Sequence, residues 1–384
     1  METSGIFKKS ITTARESIKK RAFFAYNTNL DSVVLIGASQ ARTFFQYLPE
    51  LAKSMRRGEG KEIRVSASLF QKIIGLIKKS SQRIGGQAGN MAMDAANLGV
   101  ECYLHTPSKS KELLSLFGRK GVLVAAENGF LQAQEAKDSS EPPIHLIFEY
   151  TKGRGIPSSN RFIVSSESLN PTLFIDPVFS RGIAREIPGI DRGFIAGFHL
   201  LSPEVFRKRS SFVAKQVSGW KKANPELRIH LEWGSFISNE TENLVGRQML
   251  PLVDSVGFNG EEIEFREEGK VEKLLRKTKT VLVHGKDYSV AFSKEFSSKT
   301  LELSLSFASA VAGFKAMKGR APTFAELAKT SLKPKKINPP KFNSKKLAKW
   351  GISFAFSPSA EIVPKHTIGL GDCFSMAFFL TLKK

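Results

Sequence analysis

The chain carries almost no cysteine: Cys102 and Cys373 are the only two among 384 residues. That excludes a disulfide framework and is compatible with a reducing cytoplasm, the expected location. Neither cysteine has metal-ligand spacing, and no His-Glu-x-x-His or Cys-x-x-Cys occurs, so the common zinc motifs are absent. No run approaches the roughly 20 apolar residues that cross a bilayer, and the N-terminus lacks a signal-peptide layout. Acidic residues are also scarce. Asp and Glu total 36 against 58 Lys and Arg, a formal net charge of +22. Such a surface favours anions: nucleic acid, acidic membrane or phosphorylated small molecules. The excess gathers at Lys8 to Arg21 and in a Pro- and Lys-rich connector, Lys333 to Lys349. Neither run is patterned with aromatics for stacking bases, so specific nucleic-acid binding is disfavoured.

Apolar residues make up 41% and charged residues 24%, the balance of an ordinary globular protein. Short β-branched or aromatic runs alternate with helical spacing along the chain. Arg21 to Tyr26, Val33 to Ile36, His145 to Tyr150, Thr172 to Ile175, Gly193 to Gly197, Arg228 to Glu232, Ser255 to Phe258, Val281 to His284 and Ile352 to Phe356 read as strands. Ser202 to Ala223 and Leu301 to Lys318 read as helices. This alternation predicts an α/β fold with a mostly parallel sheet, whose ligands bind beyond the carboxyl ends of the strands. The turn-rich stretches Arg57 to Lys61 and Thr151 to Pro157 interrupt the rhythm. They predict a large domain from 1–31, 85–101 and 162–384, and a smaller discontinuous one from 32–84 and 102–161.

Near the C-terminus, Thr367-Ile-Gly369-Leu-Gly371-Asp372 opens an apolar helix. Glycines let backbone amides approach an anion, and the first amides of a helix have no internal partners. An aspartate there either caps the helix or takes a proton from a hydroxyl that attacks phosphorus. Asn29 and Asp31, two apart on one strand, point the same way. They suit neighbouring sugar hydroxyls or a plain Asx-turn. Gly85-Gly86-Gln87-Ala88-Gly89-Asn90 opens a small-residue helix but matches neither a dinucleotide fingerprint nor a phosphate loop. His230-Leu-Glu232 and Asn259-Gly-Glu261-Glu262 end successive strands, where two carboxylates hold Mg²⁺ largely through water or simply face solvent. Arg161, at the return from the smaller domain, fits either a phosphate contact or a salt bridge.

Eight segments in order from end to end resemble archaeal ADP-dependent glucokinases and phosphofructokinases of the ribokinase-like superfamily. They are Tyr26 to Asp31, Gly85 to Asn90, Ile147 to Tyr150, Asn160 to Ile163, His230 to Glu232, Asn259 to Glu262, Val283 to Tyr288 and Gly369 to Asp372. The resemblance implies a three-layer α/β/α domain with a smaller α/β lid, and Mg²⁺-dependent phosphoryl transfer from ADP to a hexose or hexose phosphate, in glycolysis. It makes Asp372 the general base and Gly369 to Gly371 the anion hole, with Arg161 facing the phosphates. Glu232 and Glu262 would organise Mg²⁺; Asn29, Asp31, Gly86 and Gln87 would bind sugar. His284 and Val363 would flank the adenine. For the acceptor it gives conflicting hints: Lys152 and Arg154 suit a second phosphate, whereas Glu62 repels one, so dual specificity is expected.

Three departures stand out. His199 replaces a glutamine, Cys373 replaces a threonine, and the segment before Thr367 is short. The competing readings are an ATP-dependent enzyme of the same superfamily and a silent, basic nucleic-acid-binding protein of the same fold. A monomer or small homo-oligomer is expected.

Overall fold

The computed structural model describes residues 3–118, 121–153, 155–260, 262–263 and 268–383. Its strands in chain order are β1 (Arg21–Ala25), β2 (Asn29–Leu35), β3 (Lys61–Arg64), β4 (Ser81–Gly85), β5 (Glu101–Leu104), β6 (Val122–Ala126), β7 (Gly129–Gln132) and β8 (Ile144–Tyr150). They continue with β9 (Asn160–Ser165), β10 (Arg192–Ile195), β11 (Arg228–Glu232), β12 (Ser255–Asn259), β13 (Thr280–His284), β14 (Tyr288–Ser293) and β15 (Ser353–Pro358). Ten form one sheet in the order β15-β14-β13-β12-β11-β10-β1-β5-β6-β7, and five form another in the order β3-β9-β8-β2-β4. From β13 to β6 the large sheet is wholly parallel, with antiparallel strands at both edges.

Period-2 alternation divides the large sheet's side chains between two cores. Ala22 and Phe24 of β1 pack with the helices Thr3–Ser17, Gln87–Asn97, Ser298–Lys318 and Leu370–Thr381. Phe23 and Ala25 pack on the other face with Pro177–Glu186, Pro203–Ala223, Asn239–Gln248 and Glu268–Leu275. The predicted three-layer α/β/α arrangement with a mostly parallel sheet is what the chain forms. Buried Phe374, Met376, Phe378, Phe379 and Leu380 anchor the C-terminal helix. At roughly 1.5–3 kcal/mol per large apolar side chain, they fix its start against the sheet. Among the described residues, no helix is long and apolar enough to cross a membrane.

The smaller sheet buries one face: Val34, Leu146, Phe148, Phe162 and Val164 pack against Phe44, Leu51, Phe70 and Ile73 from its own helices. The alternate residues, among them Asn29, Asp31, His145 and Arg161, lie on the opposite face.

Two expectations need correction. The segment 102–161 is not all in the smaller unit, because β5, β6 and β7 join the large sheet beside β1. Conversely, β2 enters the smaller sheet at Asn29 and β4 leaves it at Gly85. Chain order does not reveal a strand's partner, and β5 follows its helix back onto β1 as an ordinary parallel crossover. Thr172 to Ile175 is not a strand. It lies in a turn where Leu173 adopts φ 47° and its N–H donates to the Asn170 carbonyl at 2.9 Å.

Candidate active site

Three elements converge where the large sheet's parallel strands end. Gly369, the first, adopts φ 63° and ψ 24° before the helix Leu370–Thr381. Such left-handed backbone favours glycine, and space demands it too. A Cβ on Gly369 would stand 3.0 Å from Asn90 Cγ and 3.1 Å from Lys315 Nζ; one on Gly371 would stand 2.7 Å from His284 Cε1. Asp372 follows on the first turn, and Asn90 Nδ2 donates to its Oδ2 at 3.0 Å.

β11 and β12 supply the second element. His230 and Glu232 share the face covered by the C-terminal helix, His230 packing against Phe379. His230 Nε2 lies 3.1 Å from Glu232 Oε2, and His284 Nε2 lies 3.7 Å from Oε1, an ion-pair distance too long for a hydrogen bond. Gly257 sits opposite Glu232 in the parallel ladder. Its missing side chain leaves room for Glu232 Oε2, His230 Nε2 and Ser375 Oγ, all 2.7–2.9 Å from where a Cβ would be. Beyond β12, Asn259 N–H donates to Glu262 Oε2 at 2.9 Å.

The smaller sheet supplies the third. Asn29 Nδ2 donates to Asp31 Oδ1 at 2.6 Å. Both lean over Gly85, where any side chain would overlap them. His145, opposite Asp31 in the register, lies 3.8 Å from Glu62 and 3.3 Å from Glu167. Gly86, with φ 74°, presses against Asn27, and Gln87 Oε1 accepts the Gly197 N–H at 3.1 Å.

The electrostatics tie these groups together. Burial pushes Asp372 up to about 6 and Glu232 adds to this, while Lys315, Asn90 and Arg161 pull it down. Burial likewise pushes Asp31 up to about 6 against the pull of His145, Asn29 and Arg161. Arg161 therefore acts on Asp31 of the smaller sheet and on Asp372 of the C-terminal helix alike. Glu262 rises to about 7, through burial and through repulsion from Glu232 and Asp372 that its Asn259 hydrogen bond does not offset. Glu232 goes the other way. Burial opposes its charge, but the His230 hydrogen bond and the charges of His230 and His284 bring it down to about 2.

Among the described residues, no three metal-ligating side chains form a ready-made cage. The mutual repulsion of Glu232, Glu262 and Asp372 nonetheless fits a hydrated divalent cation held mostly through water and phosphate oxygens. Among the described residues, buried Asn29 Oδ1, His199 Nδ1 and His284 Nε2 also have no hydrogen-bond partner. They fit a hydroxyl-rich ligand and its waters.

Charge thus links Asp372 to Glu232, Glu262 and Arg161, and Arg161 and Glu62 to Asp31 with its Asn29 hydrogen bond, while Gly369 and Gly371 share the turn of Asp372 and Gly86 and Gln87 open the helix that carries Asn90. Other expected residues lie differently. His284 meets Glu232 and Gly371. Val363 is 85% exposed, on a segment whose Lys365 and His366 N–H groups bond the Ala316 carbonyl of the helix Ser298–Lys318. Lys152 stands exposed in the β8–β9 loop, and the cluster around Asp31 is built without it. Arg154 and Glu261 lie outside the described residues. His199, the departure noted above, lies beside Gln87 at Gly234. Its pKa is lowered, by burial first, and it feels the charges of Glu62, His145 and Glu232.

Residue-level reading missed His145, Asn90, Gly257 and Lys315. A histidine at an odd position of β8, opposite in phase to Leu146 and Phe148, was the available signal for His145. For Lys315 it was a lone cation within a run of small and apolar residues.

A stability consequence follows for Glu262. Its folded value near 7 exceeds the ordinary value of 4.5, so between these limits the folded protein holds more protons than the unfolded chain. Its contribution is complete below about pH 4.5 and is lost as pH rises through 7. In metal-free buffer, Glu262→Gln is expected to gain up to about 3 kcal/mol over wild type at pH 8 and nothing at pH 4. Urea unfolding at both pH values measures this, and equal differences at the two would disprove it.

Residues 20–268 match the sequence profile of the ADP-specific phosphofructokinase/glucokinase conserved region. The chain is 25% identical to an ADP-dependent glucose/glucosamine kinase of Pyrococcus furiosus, over 98% of this chain and 97% of that protein. It is 24% identical to an ADP-specific phosphofructokinase of Thermococcus kodakarensis, over 63% of this chain and 62% of the other. An ADP-dependent kinase solved with fructose-6-phosphate and ADPβS superposes with TM-score 0.82 at 20% identity, over 99% of this chain and 97% of that one.

Proposed function

Because this chain belongs to the ADP-specific phosphofructokinase/glucokinase family, we propose that it is an ADP-dependent sugar kinase that phosphorylates a hexose and releases AMP. The observation that carries this reading is the coupling of Asp372, under its Asn90 hydrogen bond, to the charges of Glu232 from the large sheet and Arg161 from the smaller one.

Asn29, Asp31 and Gln87 hold the sugar hydroxyls, with His145 completing the sugar side. Asp372 takes the proton of the hydroxyl that attacks the β-phosphorus of ADP. A new oxygen–phosphorus bond forms as the bond between the β-phosphorus and the bridging oxygen breaks, and AMP leaves with that electron pair. The amides at Gly369 to Gly371 and the guanidinium of Arg161 face the charge on the moving phosphoryl oxygens. Glu232 and Glu262 would hold Mg²⁺, which when bound would neutralise phosphate charge.

The acceptor is an unphosphorylated hexose or amino sugar. Asp31, Glu62 and Glu167 surround His145, an environment that repels a second phosphate, and Lys152 stands outside it. Glu62→Ala is expected to raise fructose 6-phosphate turnover relative to glucose by about tenfold, equivalent to ~1.4 kcal/mol. An unchanged ratio of kcat/KM for the two sugars would clear Glu62 of the role.

Purified protein incubated with Mg²⁺, glucose and either ADP or ATP tests the central reading. Equal amounts of AMP and sugar phosphate are expected with ADP. Turnover with ATP alone, or with neither donor, would overturn it.

A further inference from the structure

We propose that Lys315 is a positioning residue for the transfer: its buried ammonium, tied to Asp94, braces the Gly369 turn and sets a fixed positive charge behind the groups that meet the phosphoryl. The inference rests on the kinase reading above and concerns a residue that acts through Gly369, Asn90 and Asp372.

Lys315 Nζ donates to Asp94 Oδ2 at 2.6 Å, with the lysine side chain 4% exposed and the aspartate 0%. Both groups are buried, and Cys373 and the Ala321 backbone also act on Asp94. Burying two ions in such surroundings costs several kcal/mol each, and an apolar pair of similar volume is often at least as stable. Fold stability alone is therefore a weak reason for the pair.

Its position supplies a stronger one. Lys315 Nζ lies 3.1 Å from where a Gly369 Cβ would stand, and Asn90 Cγ lies 3.0 Å from the same point. Asn90 and Asp94 are four residues apart on the helix Gln87–Asn97, one turn along a single face. One holds Asp372 and the other holds Lys315, so a single helix face sets both the aspartate and the charge behind it. Burial opposes the lysine's charge, but the carboxylates of Asp94 and Asp372 more than offset it. The ammonium has three donors and Asp94 takes one. In a low-dielectric site, a charge fixed in advance stabilises a developing anion without reorganisation.

Lys315→Met alone leaves the Asp94 carboxylate buried without its cation and is expected to destabilise the fold. The double variant Asp94→Asn/Lys315→Met removes the pair and leaves no orphan charge. It is expected to melt close to wild type, with turnover lowered about tenfold or more and the KM for sugar unchanged. Wild-type turnover in the double variant would overturn the proposal. So would a loss in which sugar KM and melting temperature deteriorate together with turnover. Should the wild-type protein lack kinase activity, the functional reading fails first, and calorimetric titration with ADP carries the same comparison. There the double variant is expected to bind about tenfold more weakly, and equal affinities would reject the role of Lys315.

Discussion

Asp372→Ala is expected to lower turnover by about 10²- to 10⁴-fold, the usual worth of a positioned general base, with the KM values for sugar and ADP close to wild type. The side chain is held by its Asn90 hydrogen bond, and Asn29 and Asp31, assigned to sugar binding, belong to the smaller sheet. Removing the carboxylate therefore takes away proton transfer and leaves the binding surfaces in place. The pH profile carries a second signature. Burial and Glu232 hold Asp372 near 6, and only the ionised carboxylate accepts a proton. Turnover in wild type is thus expected to fall about tenfold per pH unit below pH 6, and the residual activity of the variant to lack that limb. Steady-state rates from pH 5 to 8 measure both. A variant that keeps turnover within threefold of wild type would remove Asp372 from the chemistry.

Arg161→Ala is expected to cost about 10³-fold in turnover, the lower end of what an arginine facing a transferring phosphoryl group supplies. Arg161 projects from β9 of the smaller sheet, yet its charge acts on Asp372 of the large one as well as on Asp31. Its loss therefore touches carboxylates at both sheets' ends of the site. Arg161→Lys keeps the charge but loses the planar, two-pronged donor geometry, so partial recovery is expected. Single-turnover measurements with saturating ADP separate this from a binding defect. If the loss disappears at saturation, Arg161 binds ADP without assisting the transfer.

Both predictions depend on features read from sequence with uneven success. The glycines before Asp372 were legible because left-handed backbone and close approach leave a local mark. The ends of β11 and β12 were legible because a strand of alternating apolar residues that stops at Glu232 or Asn259 announces its own boundary. The smaller unit was half-read. β2 and β8 formed where β-branched residues suggested and β4 and β9 went unread, while β5, β6 and β7 joined the other sheet through β5, whose partner β1 lies some 80 residues upstream in the ladder from Arg21↔Glu101. Pairing across such a distance is decided by which apolar faces fit together, and no local window contains that information. His145 was read only as part of a strand for a related reason. Its role comes from Glu62, Glu167 and Asp31, which reach it from three separate segments.

By itself the sequence determined the period of each element, the punctuation by glycine, and the types of functional group available: carboxylates at strand ends, an aspartate at a helix start, an arginine at a return. These are properties of a few consecutive residues. Tertiary structure alone decided which carboxylates repel one another, why Glu232 stays near 2 while Glu262 rises to about 7, and that Lys315 stands behind Gly369. Burial and Coulomb interactions act through space, and their strength is set by distances that exist only once the chain has folded.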